Sequence, residues 1–274
     1  MRYPFLMVIL ATFLVANISA QSLVIPIRRW TTQKWDANWI APLETPTAGV
    51  YLFRKSFNLA TKPESFIIHL SADNRYRLFV NGKQLNDGPQ ISDLRHWRFE
   101  SLDITSLLTT GQNLIAIQVW SLGNAAPVYD MGKQVGLIVQ GNGEVESVIN
   151  TDRSWKCIEN TSITPILFKP GDPNLYYNYY AAGPMDKVVV GMPWNWENPE
   201  FDDSKWLAVV VLQNGSPFMT SQYGDSQWEL IPRSIPLMER TYQKFSAVRR
   251  CEGIVIKDTN SPITIPARQK ISVN

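Results

Sequence analysis

The sequence predicts an all-β chain, a β-sandwich of jelly-roll type, on three observations. Short runs rich in β-branched and aromatic residues recur, turn residues separate them, and long amphipathic helical patterns are missing. In chain order the predicted strands occupy 50–59, 65–70, 76–80, 113–120, 135–140, 187–190 and 208–212. Asn81-Gly82 follows the third run and tolerates the positive φ angles of a tight hairpin turn, and Gly141-Asn142-Gly143 marks a second hairpin. One helical turn is expected at 103–108, capped by Asp103 or Thr105 and halted by Gly111. Proline density makes 169–199 a long excursion, which holds Tyr176, Tyr177, Tyr179, Tyr180, Trp194 and Trp196. Gly, Ser, Pro and Gln then read as a connector over 213–240, so the sandwich is expected to span 21–212. Strand-like runs at 253–257 and 263–265 suggest that 241–274 is the incomplete start of a second β module, too short to form a core alone.

Composition narrows the function classes. The 274 residues carry 26 Lys+Arg against 24 Asp+Glu, a net charge of +2. Such a balance lacks the basic excess that grips a nucleic-acid backbone or an anionic membrane, so neither partner is expected. Hydrophobic residues at 45% are ample for a buried core. Two His and two Cys are too few for a zinc ribbon, a His-rich metal centre or a disulfide scaffold. No Gly-rich phosphate loop links a strand to a helix, so no metal, nucleotide or other cofactor is expected. Ten Trp beside ten Tyr leave two readings open, because flat rings suit a core and the apolar faces of sugars alike.

Residues 1–20 have the layout of a secretory signal peptide: Arg2 near the start, an apolar stretch over 5–16, and small residues at Ser19 and Ala20 before Gln21. The apolar run is too short to span a bilayer. Cleavage between Ala20 and Gln21, export to the periplasm or the medium, and no membrane attachment afterwards are the expectations. An oxidising compartment permits a Cys157–Cys251 bridge, but two buried thiols need no special geometry, and free thiols are the favoured reading.

Ser71-Ala72-Asp73-Asn74-Arg75-Tyr76-Arg77-Leu78-Phe79-Val80-Asn81-Gly82-Lys83, followed by Asp87-Gly88-Pro89, resembles the N-terminal β-sandwich region of bacterial α-L-rhamnosidases. Ser92-Asp93-Leu94-Arg95-His96-Trp97-Arg98-Phe99-Glu100, Leu102-Asp103-Ile104-Thr105 and the run from Gly111-Gln112-Asn113 to Val119-Trp120 are similar to the continuation of the same sandwich. Trp35-Asp36-Ala37-Asn38-Trp39-Ile40 resembles its opening, and Pro232-Arg233-Ser234-Ile235-Pro236 its junction to the next module. The resemblance implies a galactose-binding-like sandwich from an exported enzyme that removes terminal α-L-rhamnose with inversion. It also implies that the acid and base carboxylates lie in a helical barrel downstream. The chain is therefore expected to be a non-catalytic portion whose catalytic module is missing, with a rhamnose-containing glycan as the carbohydrate partner. A stand-alone carbohydrate-binding module is the alternative, and a small active glycosidase the third reading.

Glycoside hydrolysis needs two carboxyl groups flanking the bond, one of them protonated. Glu197, Glu200, Asp202 and Asp203 lie near Trp194, Trp196 and Trp206 and superficially suit that chemistry. A sandwich corner explains them better, with an acidic side chain bonded to loop amides and a Trp plugging the core. Thr151-Asp152-Arg153-Ser154-Trp155 repeats the pattern, which supports an architectural role. No catalytic residue is assigned. Candidate sugar contacts are Asp93, Arg95 and His96 as hydrogen-bonding groups and Trp97, Trp194 and Trp196 as stacking platforms, although core packing is the favoured reading for Trp97. His69, in an alternating strand, is read as packed or surface-lying.

Overall fold

The computed structural model describes residues 27–44, 48–123, 126, 130–166, 186–189, 195–219, 228–241, 247–256 and 272–273. The chain divides into two compact units, Met1–Ser234 and Ile235–Asn274. In the first, the strands in chain order are β1 (Asn38–Ala41), β2 (Gly49–Leu59), β3 (Ile67–Asp73), β4 (Arg75–Val80), β5 (Lys83–Gly88), β6 (Trp97–Asp103), β7 (Gly111–Ser121), β8 (Gly136–Gly141), β9 (Lys156–Glu159), β10 (Ile163–Pro165), β11 (Asp186–Val188), β12 (Leu207–Ala208), β13 (Val210–Asn214), β14 (Ser216–Pro217) and β15 (Glu229–Pro232). The second contains β16 (Cys251–Glu252) paired antiparallel with β17 (Ser272–Val273).

Two sheets form the sandwich. One has the order β13-β1-β8-β3-β6-β15-β14 and the other β12-β9-β2-β7-β4-β5. From β1 to β9 the chain changes sheet at every connection except β4 to β5, as a jelly roll requires. That exception is the predicted hairpin, where Asn81 (φ 47) and Gly82 (φ 79) take the left-handed angles that favour this pair of residues. The longest pairing is β2 with β7, in unbroken register from Gly49↔Ser121 to Leu59↔Gly111. Its inward residues, among them Tyr51, Phe53, Ile115, Ile117 and Val119, meet Ile68, Leu70, Ala72, Leu137 and Val139 of the facing sheet. That inter-sheet layer is the main core.

Both outer faces are also covered. Against the seven-stranded sheet, Trp30, Trp35, Trp39, Trp97, Trp228, Phe99, Ile138 and Leu230 form a second cluster. Against the six-stranded sheet, Trp196 and Trp206 pack on Leu52, Leu114 and Ala116. Strands covered on both faces bury nearly every residue, and β3 and β8 are buried throughout.

Several expectations change. Gly141-Asn142-Gly143 does not close a hairpin, because the chain passes through a 3-10 turn at Val145–Ile149 and then enters the other sheet as β9. The segment 213–240, read as a connector, contains β14 and β15, and β15 pairs in parallel with β6 from Leu230↔Trp97 to Pro232↔Phe99. The first unit therefore runs to Ser234 rather than 212. The expected helical turn is a 3-10 turn at Thr105–Leu107, whose Thr105 amide donates to Asp103 Oδ1 (2.9 Å). Residues 1–20, Ala20 and Gln21, the tyrosines of the excursion, Trp194 and the run 263–265 lie outside the described residues. Cys157 is buried in β9, Cys251 lies in β16, and both are free thiols. Among the described residues no helix is long and apolar enough to cross a membrane.

Candidate functional site

Polar side chains gather at the end of the sandwich where β3, β5 and β7 finish and β4, β6, β8 and β15 begin. At its centre Asp73, the last residue of β3, accepts hydrogen bonds on Oδ2 from the Lys133 amide (2.6 Å), Trp228 Nε1 (2.8 Å) and the Gln134 amide (3.4 Å). Trp228 stacks on Trp39 at 4.2 Å, and a side chain at Gly136 would strike both rings. Gly132 lies so close that a Cβ would sit 2.3 Å from Asp73 Oδ1, which explains a glycine there. Asn74 is equally engaged, donating to the Asp130 carbonyl (3.2 Å) and accepting from the Leu122 amide (2.8 Å). Asp130 in turn pairs with Arg75 (2.9 Å).

Burial pushes the Asp73 carboxyl up to about 6, against the three hydrogen bonds that favour its ionised form, with the nearby Asp130 charge adding to the rise. A carboxyl titrating there has the acidity of a general acid near neutral pH. Yet Asp73 is only 1% exposed and its Oδ2 is held by three donors, so it has no path to a glycosidic oxygen.

Beside this buried centre lies an exposed shelf, the 3-10 turn Leu94–His96. Asp93 caps it, accepting on Oδ1 from the amides of Arg95 (2.8 Å) and His96 (3.1 Å) and meeting His96 Nδ1 through Oδ2 (3.0 Å). Slight burial works to raise the Asp93 pKa, but the hydrogen bonds from the His96 ring and the two amides outweigh it, so the carboxyl lies below its ordinary value. The His96 ring lies over Phe218 at 4.8 Å, and Arg95 Nε reaches Glu229 Oε2 at 4.0 Å.

The structure thus separates the candidate sugar contacts. Asp93, Arg95 and His96 sit together and face solvent. Trp97 does not join them: it is 4% exposed in the cluster behind the seven-stranded sheet, and a buried ring cannot stack on a sugar. Trp196 is likewise buried, packed edge-on against Phe79 at 5.5 Å on the opposite sheet.

The acidic cluster after Trp196 is a corner. Arg54 projects outward from β2 and is 1% exposed. It donates to the carbonyls of Trp196, Asn198 (3.1 Å) and Phe201 (3.3 Å) and to Asp203 Oδ2 (2.8 Å). Lys156 takes the other Asp203 oxygen at 2.6 Å. Burial works to raise the Asp203 pKa, but Lys156 and Arg54 prevail and hold the carboxyl below its usual range. The two Asp-Ser-Trp elements match. Asp152 Oδ1 accepts from the Ser154 amide (2.8 Å), Asp202 Oδ1 from the Ser204 amide (2.9 Å), and the strands that follow, β9 and β12, pair with each other.

The model of the "Alpha-L-rhamnosidase N-terminal domain" family matches residues 61–228. The chain belongs to the α-L-rhamnosidase N-terminal domain family. Two solved structures share its fold: the GH78 family rhamnosidase of Bacillus sp. GL1 (24% identity, TM-score 0.64, covering 80% of this chain and 22% of that one) and the α-L-rhamnosidase from Dictyoglumus thermophilum (20% identity, TM-score 0.53, covering 74% and 23%). This rhamnosidase N-terminal domain chain thus spans about a fifth of the length of either enzyme. Among curated proteins, none matches the sequence.

Sequence reasoning gave no role to Asp73, Asn74 or Asp130. Asp73-Asn74 carried the family resemblance only as part of a motif, and Asp130 lies far from both in the chain. Position within β3 places Asp73 on the same face as His69, and that alternation was the available signal.

Proposed function

We propose that this chain serves as a non-catalytic N-terminal β-sandwich of an exported α-L-rhamnosidase-like glycoside hydrolase acting on rhamnose-containing glycans, with the catalytic carboxylates supplied by another part of the whole enzyme. The observation that carries this reading is the state of the acidic groups nearest the tryptophans. Asp203 is ionised and tied to two cations, which is the wrong form for a general acid and leaves no lone pair directed at a water. Asp73 has suitable acidity but is sealed under Trp228. The family match supports the same role, and the apolar leader over 1–20 supports export. The purified chain is expected to leave an aryl α-L-rhamnoside intact. Turnover abolished by Glu197→Gln or Asp203→Asn would overturn the reading.

A second reading, a stand-alone carbohydrate-binding module, is favoured by the exposure of Asp93, Arg95 and His96 on one shelf above Phe218. Calorimetric binding of methyl α-L-rhamnoside that disappears in His96→Ala would support it.

A further inference from the structure

Ser234 is the last residue of the first unit, and the residues that lead to it are tied closely to the sandwich. Strand β15 is only four residues long, runs parallel to β6, and ends on a proline, which has no N–H to give to a ladder. Other bonds hold the chain from there. The Pro232 carbonyl accepts from Arg98 Nη1 (2.8 Å), the Arg233 amide donates to the Phe99 carbonyl (2.9 Å), and the Ser234 amide donates to Gln90 Oε1 (2.8 Å). Gln90 Nε2 returns a bond to Ser234 Oγ (3.0 Å). The Arg233 side chain adds a buried ion pair. Its Nη1 donates to Glu100 Oε1 (2.7 Å), which also accepts from the Gln90 amide (2.9 Å), while Glu100 Oε2 accepts from the Tyr76 hydroxyl (2.9 Å) and that hydroxyl from Asn86 Nδ2 (2.7 Å). Glu100 is fully buried and the Arg233 side chain is 10% exposed. Even Gly88 is packed against the carboxylate, since a Cβ there would lie 2.8 Å from Glu100 Oε2 and from the Tyr76 hydroxyl.

We propose that Glu100 and Arg233 form a clamp that fixes the point and direction in which the chain leaves the sandwich, with Gln90 as its outer catch. Exchanging a buried ion pair for apolar groups of similar volume is often neutral or stabilising, so net stability alone does not account for one here. The directionality of the pair does. A carboxylate held by three donors admits one position for the guanidinium, whereas apolar side chains in their place would let the segment tilt or slide on the sheet. Segments that join modules are ordinarily exposed and make few contacts, yet this one is bonded through backbone and side chain up to the unit boundary. Glu100 and Arg233 are therefore positioning residues, and the chain beyond Ser234 starts from a fixed point beside β6.

The clamp does not depend on the rhamnosidase reading, which the hydrolysis assay tests independently. Amide hydrogen exchange of the full chain, resolved by residue with NMR, separates it from general stabilisation. The amides of Arg233 and Ser234 report on the exit, and that of Ile117, in the middle of the β2–β7 pairing, reports on the sandwich. Glu100→Gln is expected to speed exchange at Arg233 and Ser234 by at least about tenfold relative to Ile117, the scale of one lost hydrogen bond between charged groups. In Glu100→Gln/Arg233→Met neither partner is left as an unpaired charge, so thermal stability is expected to return toward the parent value while the fast exchange at the exit remains. Gln90→Ala leaves the buried pair in place and should speed Ser234 alone. Arg233 and Ile117 accelerating in parallel in Glu100→Gln would show that the pair stabilises the sandwich as a whole. A parent-like ratio of Arg233 to Ile117 exchange in the double variant would show that pairing of β15 with β6 holds the exit unaided. Either result would overturn the proposal.

Discussion

On the outer face of the seven-stranded sheet, His69, Ser71 and Asp73 of β3 lie beneath rings contributed by 30–39 and by Trp228. On the outer face of the six-stranded sheet, Arg54 of β2 holds the covering segment through three carbonyls and a carboxylate. The first face is closed by aromatic area with polar ties spread over many residues, among them Trp30 Nε1 to Asn142, the Ala37 amide to Gln140, the Trp35 amide to the Gly215 carbonyl and Trp228 Nε1 to Asp73. The second depends on a single buried cation that satisfies an irregular segment unable to make a ladder of its own. A seal of rings tolerates loss of one hydrogen bond, whereas a seal organised by one guanidinium does not.

The largest expected effect follows from that contrast. Arg54→Met keeps the aliphatic bulk but leaves the carbonyls of Trp196, Asn198 and Phe201 without their donor and Asp203 without one of its two cations. Removing one partner of a buried ion pair costs about 3–5 kcal/mol, and urea unfolding should register a loss of that order. A cost below about 1 kcal/mol would show that Trp196 and Trp206 hold the segment by packing alone, making the two faces alike.

The tryptophan-covered face is expected to reveal itself through pH instead. Burial among Trp30, Trp35 and Phe99 lowers the His69 pKa from 6.5 to about 4, while burial raises that of Asp73 from 3.8 to about 6. For His69 the unfolded chain binds the proton more tightly. Its contribution is present above pH 6.5 and lost as pH falls through about 4. For Asp73 the folded chain binds the proton more tightly, so its contribution is present below pH 3.8 and lost as pH rises through about 6. Each amounts to roughly 3 kcal/mol, and the two oppose each other across the overlapping window. Relative to the parent chain, Asp73→Asn should therefore make stability rise more steeply between pH 4 and 6, and His69→Gln should make it fall. Parallel stability–pH curves for parent and variants would mean that this face is not dry.

Much of this layout was legible in the sequence, because turn chemistry and β-rich runs located β2, β4, β7, β8 and β13 and the Asn81-Gly82 hairpin. The corner role of Asp152 and Asp202 was legible too, from the repeated Asp-Ser-Trp pattern. Strands β1, β9 and β15 were missed because each is only four residues long and depends on partners distant in the chain. The tryptophans resisted assignment for a different reason. In a sandwich covered on both sides, inward and outward positions are both apolar, so alternation no longer separates core from surface. Trp97 therefore reads both as core, the favoured reading, and as a candidate platform, and is buried, while Trp120, to which the sequence gives no separate reading, is half-buried.

The smallest expected effect sharpens the comparison within the six-stranded face itself. Arg77–Asp87 and Arg54–Asp203 have the same 2.8 Å Nε-to-carboxylate contact and lie on the same outer surface. They differ in surroundings: Arg54 is 1% exposed under the covering segment, and Arg77 is 41% exposed beyond it. Water screens the outer pair and rehydrates whichever partner is left alone, so Arg77→Ala should cost no more than about 1 kcal/mol in urea unfolding and less at high salt. The same Nε-to-carboxylate contact would then carry a several-fold smaller stability effect outside the covering segment than beneath it, where the guanidinium is buried and also satisfies three backbone carbonyls. An Arg77→Ala loss equal to that of Arg54→Met would mean that the outer pair is as well sealed from water as the one beneath the covering segment.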